Sequence, residues 1–266
     1  MRTTFLFNEG WKFHRGDFTE TNHQAIHANR FKRAEWMKAG NHGISRLGYP
    51  DEEWHDVNLP HDFVVAGEYT STANAVHGSL PTDVAWYRKT FEIPPDLRSH
   101  RIHLEFDGIY RDATVWVNGH LAGNHHSGYT SFSLDVTELC DPNEYNAIAI
   151  RCDAREFELW SYEGGGIYRD VRLVATEDLY VPYSGTCIRS KFPDVTDHSR
   201  VQIELQAKIH NAGRKDREAQ MIFKIFENTS DSLVYESSQS SQIAAGTKTT
   251  INHQLEIAHP KLWSVA

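Results

Sequence analysis

Apolar residues at every second position are the feature that most constrains the fold of this chain. Ile102, Leu104 and Phe106 are separated by single polar or charged residues, and the segments 131–136 and 201–209 repeat the pattern. A period of two matches a β-strand that buries one face, whereas a helix repeats its apolar residues every three to four positions. The sequence therefore predicts an all-β protein.

Turn signals between these segments indicate how the strands connect. The run 113–117 is rich in β-branched and aromatic residues, and Asn118-Gly119 follows it directly. Asn-Gly is the strongest short hairpin signal, because both residues accept the positive φ of a type I′ turn. Further strands are predicted at 147–151 and 171–174. Short strands joined by polar turns favour a sandwich or jelly roll over alternating strands and helices.

The second part of the chain is predicted to form a domain of its own. After Val181-Pro182 the alternating segment 201–209 ends in a turn, and strands are predicted at 221–226 and 251–257, joined by a serine-rich connection. We place that connection at residues 230–241. The pattern fits an immunoglobulin-like sandwich. No turn closes the sheet around Trp263, so we expect the natural protein to continue.

Two domains follow from these patterns: residues 1–180 as a β-sandwich or jelly roll, and residues 181–266 as an immunoglobulin-like β-sandwich, truncated at its C-terminal end. A length of 266 residues accommodates both.

Composition excludes several classes of partner. The formal net charge is −9, and neutralising a phosphate backbone requires basic stripes that this chain lacks, so we expect no nucleic-acid partner. No apolar run approaches the length of a membrane span, so no membrane partner is expected. The sequence shows no signal peptide, which leaves a bacterial cytoplasm or periplasm open as its address. The three cysteines form no spaced pair and are interpreted as free thiols.

The histidines predict no metal site, and we expect no cofactor. His125 and His126 are adjacent, so on a strand they point to opposite faces. His23 and His27 have the spacing of one helix face but no third ligand nearby. The glycine run 164–166 leads into a strand rather than a helix, so it is interpreted as a turn and not as a phosphate loop.

Aromatic residues give a more specific indication. Six of the seven tryptophans precede residue 161. Sugar rings have apolar faces that pack on aromatic side chains, although aromatics also fill sandwich cores. Trp86 and Trp116 lie in strand patterns and are predicted to be core. Trp160 lies in a polar, glycine-rich loop, where function is more common.

A series of short motifs resembles the N-terminal part of glycoside hydrolase family 2 enzymes. In order they are FNEGWKF (7–13), LPHDF (59–63), AWYRKTF (85–91), FDG (106–108), VWVNG (115–119), GYT (128–130) and GGIYRDV (165–171). The PKLW sequence at 260–263 is similar to the family's second domain. Each motif alone is weak, but their order is specific.

The resemblance implies a galactose-binding-like jelly roll, an immunoglobulin-like domain and then a (β/α)₈ barrel that carries both catalytic carboxylates. A barrel takes roughly 250 residues, and none remain after Trp263. The chain is therefore expected to be a non-catalytic, inactive part of a retaining β-glycosidase, most similar to β-galactosidase. Specificity for β-glucuronides or β-mannosides remains an alternative.

In β-galactosidase-like members of the family, two jelly-roll loops help to form the pocket for the terminal sugar. The matching candidates for substrate binding are His61, Asp62, Glu158, Trp160, Tyr162 and Glu163. Several alignments of the second loop are possible, so Glu158, Tyr162 and Glu163 all remain candidates. The structural alternative is that Asp62 caps a turn and Glu163 pairs with Arg169.

The expected partners are a terminal β-galactoside-type sugar and the catalytic barrel, which lies outside this sequence. A homo-oligomer is possible, since family members often oligomerise. Two rival functions stay open: a self-sufficient carbohydrate-binding module, and a purely structural or interface module.

Overall fold

The computed structural model describes residues 2–18, 43–75, 78–156, 163–194, 196–228 and 230–263. The chain divides into two compact units, Arg2–Ala175 and Thr176–Ala266. Strands dominate both units, and the helical elements of the described ranges are short 3₁₀ turns at Gly43–Ser45, Pro95–Leu97 and Thr137–Leu139. The predicted all-β class, a jelly-roll sandwich followed by an immunoglobulin-like sandwich, is confirmed. Within those ranges, no helix is long and apolar enough to cross a bilayer.

The first unit is a sandwich of two sheets. Its strands are β1 (Arg2–Leu6), β2 (Trp11–Arg15), β3 (His55–Val57), β4 (Val84–Phe91), β5 (Arg101–Phe106), β6 (Ala113–Val117), β7 (His120–His125), β8 (Phe132–Asp135), β9 (Asn146–Asp153) and β10 (Val171–Thr176). One sheet has the order β1-β10-β5-β8 and the other β3-β2-β4-β9-β6-β7. The predicted β6–β7 hairpin is confirmed, with φ of 50° at Asn118 and 84° at Gly119.

The central strands of the six-stranded sheet, β4, β6 and β9, are mostly buried on both faces. One face packs into the main core between the sheets, and the other carries a second cluster in which the Trp86 and Trp116 rings stack 5.5 Å apart. The prediction that both tryptophans are core is therefore confirmed. Beside this cluster, the Arg88 side chain is 1% exposed and its Nε donates to Asp51 at 2.9 Å. Every residue of β9 is buried, as expected for a strand covered on both faces.

Strand β5 departs from the half-buried alternation that predicted it. His103 and Glu105 are buried as well as the apolar residues between them. The Arg2 guanidinium donates to both carboxylate oxygens of Glu105, at 2.7 and 2.8 Å. Both bonds come from one guanidinium nitrogen, Arg2 Nη2, and this charge-assisted pairing lets a charged residue occupy a buried strand position.

The second unit is also built from two sheets. Its strands are β11 (Leu179–Tyr180), β12 (Thr186–Lys191), β13 (Arg200–Asn211), β14 (Arg217–Phe226), β15 (Leu233–Ile243) and β16 (Thr247–Ala258). Strand β13 pairs with β11 and β12 along one edge and with β16 along the other, while β14 and β15 form a two-stranded sheet.

The serine-rich connection predicted at 230–241 is wrong, because most of it is strand β15. Ser237 lies opposite Phe223, and Gln239 lies opposite Met221 on β14. Serine has a weak intrinsic preference for strands, but cross-strand packing against large apolar neighbours outweighs it.

Candidate functional site

Two loops of the first unit meet edge to edge. We call residues 60–67, between β3 and β4, the first rim loop, and residues 163–168, before β10, the second rim loop. The His61 N–H donates to the Ile167 carbonyl at 2.8 Å, and the Phe63 N–H donates to the Gly165 carbonyl at 2.9 Å. The loops therefore hold each other by backbone hydrogen bonds, as two neighbouring strands do.

The second rim loop is also held on its other side. Tyr110 and Gly166 exchange two backbone hydrogen bonds, of 2.9 and 2.7 Å. Backbone bonds on both sides leave this part of the loop little freedom to move. The second rim loop is therefore held in place like a strand inside a sheet.

Asp62 joins the two rim loops through one carboxylate oxygen. Its Oδ1 accepts the N–H groups of Val64, Val65 and Gly165, each at 3.0 Å. The first two bonds cap a single helical turn, the usual task of an aspartate at such a position. Among the described residues none donates to Oδ2. The carboxylate thus caps a turn and bridges the two rim loops through a single oxygen.

The three consecutive glycines are required by close neighbours. A Cβ on Gly164 would lie 1.8 Å from Asp62 Oδ2, and one on Gly165 would lie 2.6 Å from Val64 Cγ2. A Cβ on Gly166 would lie 2.2 Å from the Tyr87 hydroxyl, and this residue alone of the three has a positive φ, 114°. Backbone freedom is therefore required at Gly166, whereas the other two glycines make room for side chains of the first rim loop.

His61 faces the protein core rather than the side on which Asp62 lies. Its ring centroid is 4.6 Å from that of Phe13, and Phe63 packs on the same Phe13 ring. Because alternate residues of an extended segment share a side, Asp62 turns the other way. Burial lowers the pKa of His61 below its usual value, an effect that the Asp62 charge partly opposes.

Of the other predicted site residues, the structure describes only Glu163. Glu163 is buried, 6% exposed, at the start of the second rim loop. Glu158, Trp160 and Tyr162 lie outside the described residues, as do His23 and His27. Arg169 is exposed, and its guanidinium carbon lies 5.2 Å from the centre of the Tyr168 ring.

The histidine pair on and after β7 serves separate contacts. His125 Nε2 lies 2.9 Å from the Thr130 hydroxyl, and His126 Nδ1 lies 2.8 Å from Asp112 Oδ1. Across the part of the chain that the structure describes, no three His, Cys, Asp or Glu side chains converge as metal ligands.

Tyr87 is the residue of this region that sequence reasoning missed. It is fully buried on β4, and its hydroxyl lies 2.8 Å from His61 Nδ1. In the sequence it stands inside the AWYRKTF motif without any distinguishing signal, because its partner is 26 residues away.

Comparison with known proteins identifies the family. Residues 69–160 match the family described as "Glycosyl hydrolase 2 galactose-binding domain-like", and residues 189–266 match "Glycosyl hydrolases family 2". The chain belongs to glycosyl hydrolase family 2. The two rim loops flank the first match.

Individual relatives extend the likeness over nearly the whole chain. β-Galactosidase BoGH2A of Bacteroides ovatus is 28% identical over 263 residues, which cover 97% of this chain and 28% of that protein. A β-glucuronidase of Formosa agariphila is 23% identical over 286 residues, which cover 98% of this chain and 26% of that protein.

A crystal structure of a family 2 member from Bacteroides cellulosilyticus matches with a TM-score of 0.77 at 27% identity, covering 98% of this chain and 32% of that one. The chain thus spans less than a third of the length of each of these proteins.

Proposed function

We propose that this chain is the N-terminal, non-catalytic part of a retaining β-glycosidase, most similar to β-galactosidase, and that the two rim loops form one wall of its sugar pocket. The observation that carries the proposal is the Asp62 carboxylate, held through Oδ1 by three N–H groups while no described residue donates to Oδ2. In this assignment a hydroxyl of the terminal sugar donates to Oδ2.

The chemistry of a carboxylate suits that role. Hydrogen bonds from a neutral hydroxyl to an ionised oxygen are shorter and stronger than those between neutral groups. Since Oδ1 is already fixed, the sugar meets an acceptor whose position needs no further ordering, which reduces the entropic cost of binding. Among the predicted substrate-binding residues that the structure describes, Asp62 is the main contact in this proposal, and the buried Glu163 supports the loop.

The catalytic step is assigned to residues outside these 266. A retaining glycosidase needs two carboxyl groups about 5–5.5 Å apart, one as nucleophile and one as acid and base. The family 2 relatives are more than three times as long as this chain, so they have room for a separate catalytic domain. The chain alone is therefore expected not to hydrolyse glycosides.

The second domain, proposed to span residues 181–266, is completed by further strands in the intact protein. Ile188 lies directly opposite Leu205, on the face that should be inward, yet Ile188 is 73% exposed. Ile203 and Leu255 on the same face are only partly buried. The two-stranded β14–β15 sheet is too narrow to cover this face, which supports a truncated sandwich.

The test compares this chain with the longer protein that contains it. Both are assayed with 4-nitrophenyl β-D-galactoside, and Asp62→Asn is introduced into the longer protein. Asparagine keeps an oxygen for the three N–H groups but replaces Oδ2 with an NH₂ group, which donates and does not accept. The loops should therefore stay folded while kcat/KM falls about tenfold to a hundredfold, the effect of losing a charged hydrogen bond of roughly 1.5–3 kcal/mol.

The matched control is Asp141→Asn. Asp141 also accepts a backbone N–H two residues ahead, from Asn143 at 2.9 Å, but belongs to a different loop. Activity should be unchanged there. Hydrolysis by the 266-residue chain at the rate of the longer protein, or an Asp62→Asn enzyme as active as the control, would refute the proposal.

β-Glucuronidase specificity is the second candidate, favoured by the Formosa agariphila relative of that name. Parallel assays with 4-nitrophenyl β-D-glucuronide and β-D-mannoside decide between them. Titration calorimetry of the isolated chain with galactose tests the stand-alone binding module, and sedimentation velocity tests a homo-oligomer.

A further inference from the structure

The Tyr87 hydroxyl lies where the two rim loops meet. It is 2.8 Å from His61 Nδ1 in the first rim loop and 3.5 Å from the His61 carbonyl. It also fills the space beside Gly166 in the second rim loop, where a Cβ would come within 2.2 Å of the hydroxyl oxygen. One side chain of β4 therefore touches both loops at a single atom.

The hydrogen bond between the Tyr87 hydroxyl and the His61 ring determines the tautomer of His61. Burial raises the pKa of Tyr87 well above its ordinary value, so the phenol keeps its proton, and a backbone hydrogen bond from Ile167 opposes that rise. The Tyr87 hydroxyl lies 2.8 Å from His61 Nδ1 and 3.5 Å from the His61 carbonyl, so a proton directed at Nδ1 makes the much better hydrogen bond. His61 then carries its own proton on Nε2.

We propose that Tyr87 is a positioning residue of the sugar-facing wall, which joins the two rim loops through its hydroxyl and holds His61 as the neutral Nε2–H tautomer. In this assignment His61 does not contact the sugar. Its ring is fixed between Tyr87 and Phe13, and its backbone carries Asp62 on the opposite side. The role in sugar binding rests on the function proposed above, whereas the positioning itself does not.

The experiment uses the 266-residue chain labelled with ¹⁵N. Long-range ¹H–¹⁵N correlation of the His61 ring should show Nε2 protonated, and a ring protonated on Nδ1 would overturn the assignment. This measurement needs no variant, so it stays decisive even if a substitution at β4 prevents folding.

Tyr87→Phe then removes only the hydroxyl. Amide exchange at Phe63 and Gly165, which bond across the rim loops, should accelerate about tenfold, the effect of one lost buried hydrogen bond. Exchange at Ile150, in the centre of β9, should change much less. Equal acceleration at all three amides, or none at the rim loops, would refute a positioning role.

Tyr180→Phe is the matched control, because the Tyr180 hydroxyl lies 2.9 Å from His210 Nδ1 in the second unit. It should leave rim-loop exchange unchanged. In the longer protein, Tyr87→Phe should raise KM for the aryl galactoside more than it lowers kcat. Accelerated rim-loop exchange with unchanged kinetics would uphold the positioning and refute the proposed function.

Discussion

A methyl group at Gly164 should break the connection that the Asp62 carboxylate makes between the rim loops. Its Cβ would lie 1.8 Å from Asp62 Oδ2 and 2.7 Å from Cγ, whereas non-bonded carbon and oxygen atoms stay about 3 Å or more apart. The carboxylate must therefore shift by more than about 1 Å. Its three bonds to N–H groups are already 3.0 Å long, and such a shift takes them beyond hydrogen-bond distance.

The expected cost follows from the lost bonds. Removing an aspartate cap costs about 0.5–2 kcal/mol, and a hydrogen bond to a charged group contributes about 1.5–3 kcal/mol. The smaller unfolded-state entropy of alanine returns about 0.4–1 kcal/mol. Gly164→Ala should therefore lower the free energy of unfolding by about 2–3 kcal/mol, equivalent to roughly 4–12 °C in Tm for a unit of this size.

A double-mutant cycle tests this cause specifically. All three atoms closest to the new Cβ belong to Asp62. In an Asp62→Ala background the clash is absent, so Gly164→Ala should cost less than about 0.5 kcal/mol there. Urea unfolding followed by tryptophan fluorescence reports on the first unit, because six of the seven tryptophans precede residue 161.

Gly48→Ala is the control, since no atom lies within 4 Å of its Cβ position. It should leave stability within about 0.5 kcal/mol of the parent chain, as surface changes usually do. If the costs of Gly164→Ala and Asp62→Ala simply add, or if Gly164→Ala is neutral, the carboxylate does not hold the two loops together.

Two further predictions concern pH and the β6–β7 turn. Burial lowers the folded-state pKa of His61 below 6.5, so the contribution of His61 to stability is complete above about pH 6.5 and is lost as the pH falls towards the folded-state pKa. His61→Gln should therefore flatten this part of a curve of unfolding free energy against pH. An unchanged curve would contradict the prediction. Asn118→Ala should lower the free energy of unfolding by about 2 kcal/mol, because Asn118 has a positive φ and its side chain forms hydrogen bonds with Leu139, Asn146 and Ala147. A loss below about 0.5 kcal/mol in urea unfolding would show that these bonds contribute little.

Strands were predictable from the sequence where local pattern and tertiary environment agree. The Asn-Gly turn after Val117 and the alternation 201–209 each specify their structure with nearby residues alone. The buried Glu105 could not be predicted, because its ion-pair partner Arg2 is 103 residues away. The serine-rich strand β15 was missed for a similar reason, since its stability comes from Phe223 and Met221 opposite it.

In the candidate site, too, some features could be predicted from local sequence and others depend on distant residues. The capping role of Asp62 was foreseen as one of two alternatives. The second loop was predicted at 158–166, of which the structure describes 163–166. The direction in which His61 points could not be foreseen, because it depends on the packing of Phe13 and Phe63 around it. The role of Tyr87 depends on a contact between β4 and a loop, which no local pattern records.

The proposed contact between Asp62 and the sugar can be observed in a crystal structure of the longer protein with a galactosyl group trapped in its pocket. We expect a sugar hydroxyl to donate to Asp62 Oδ2 at about 2.5–2.7 Å, the range of a charge-assisted O–H···O bond, with Oδ1 still bound to the three N–H groups. A sugar seated in the pocket with Asp62 Oδ2 facing only solvent would contradict it.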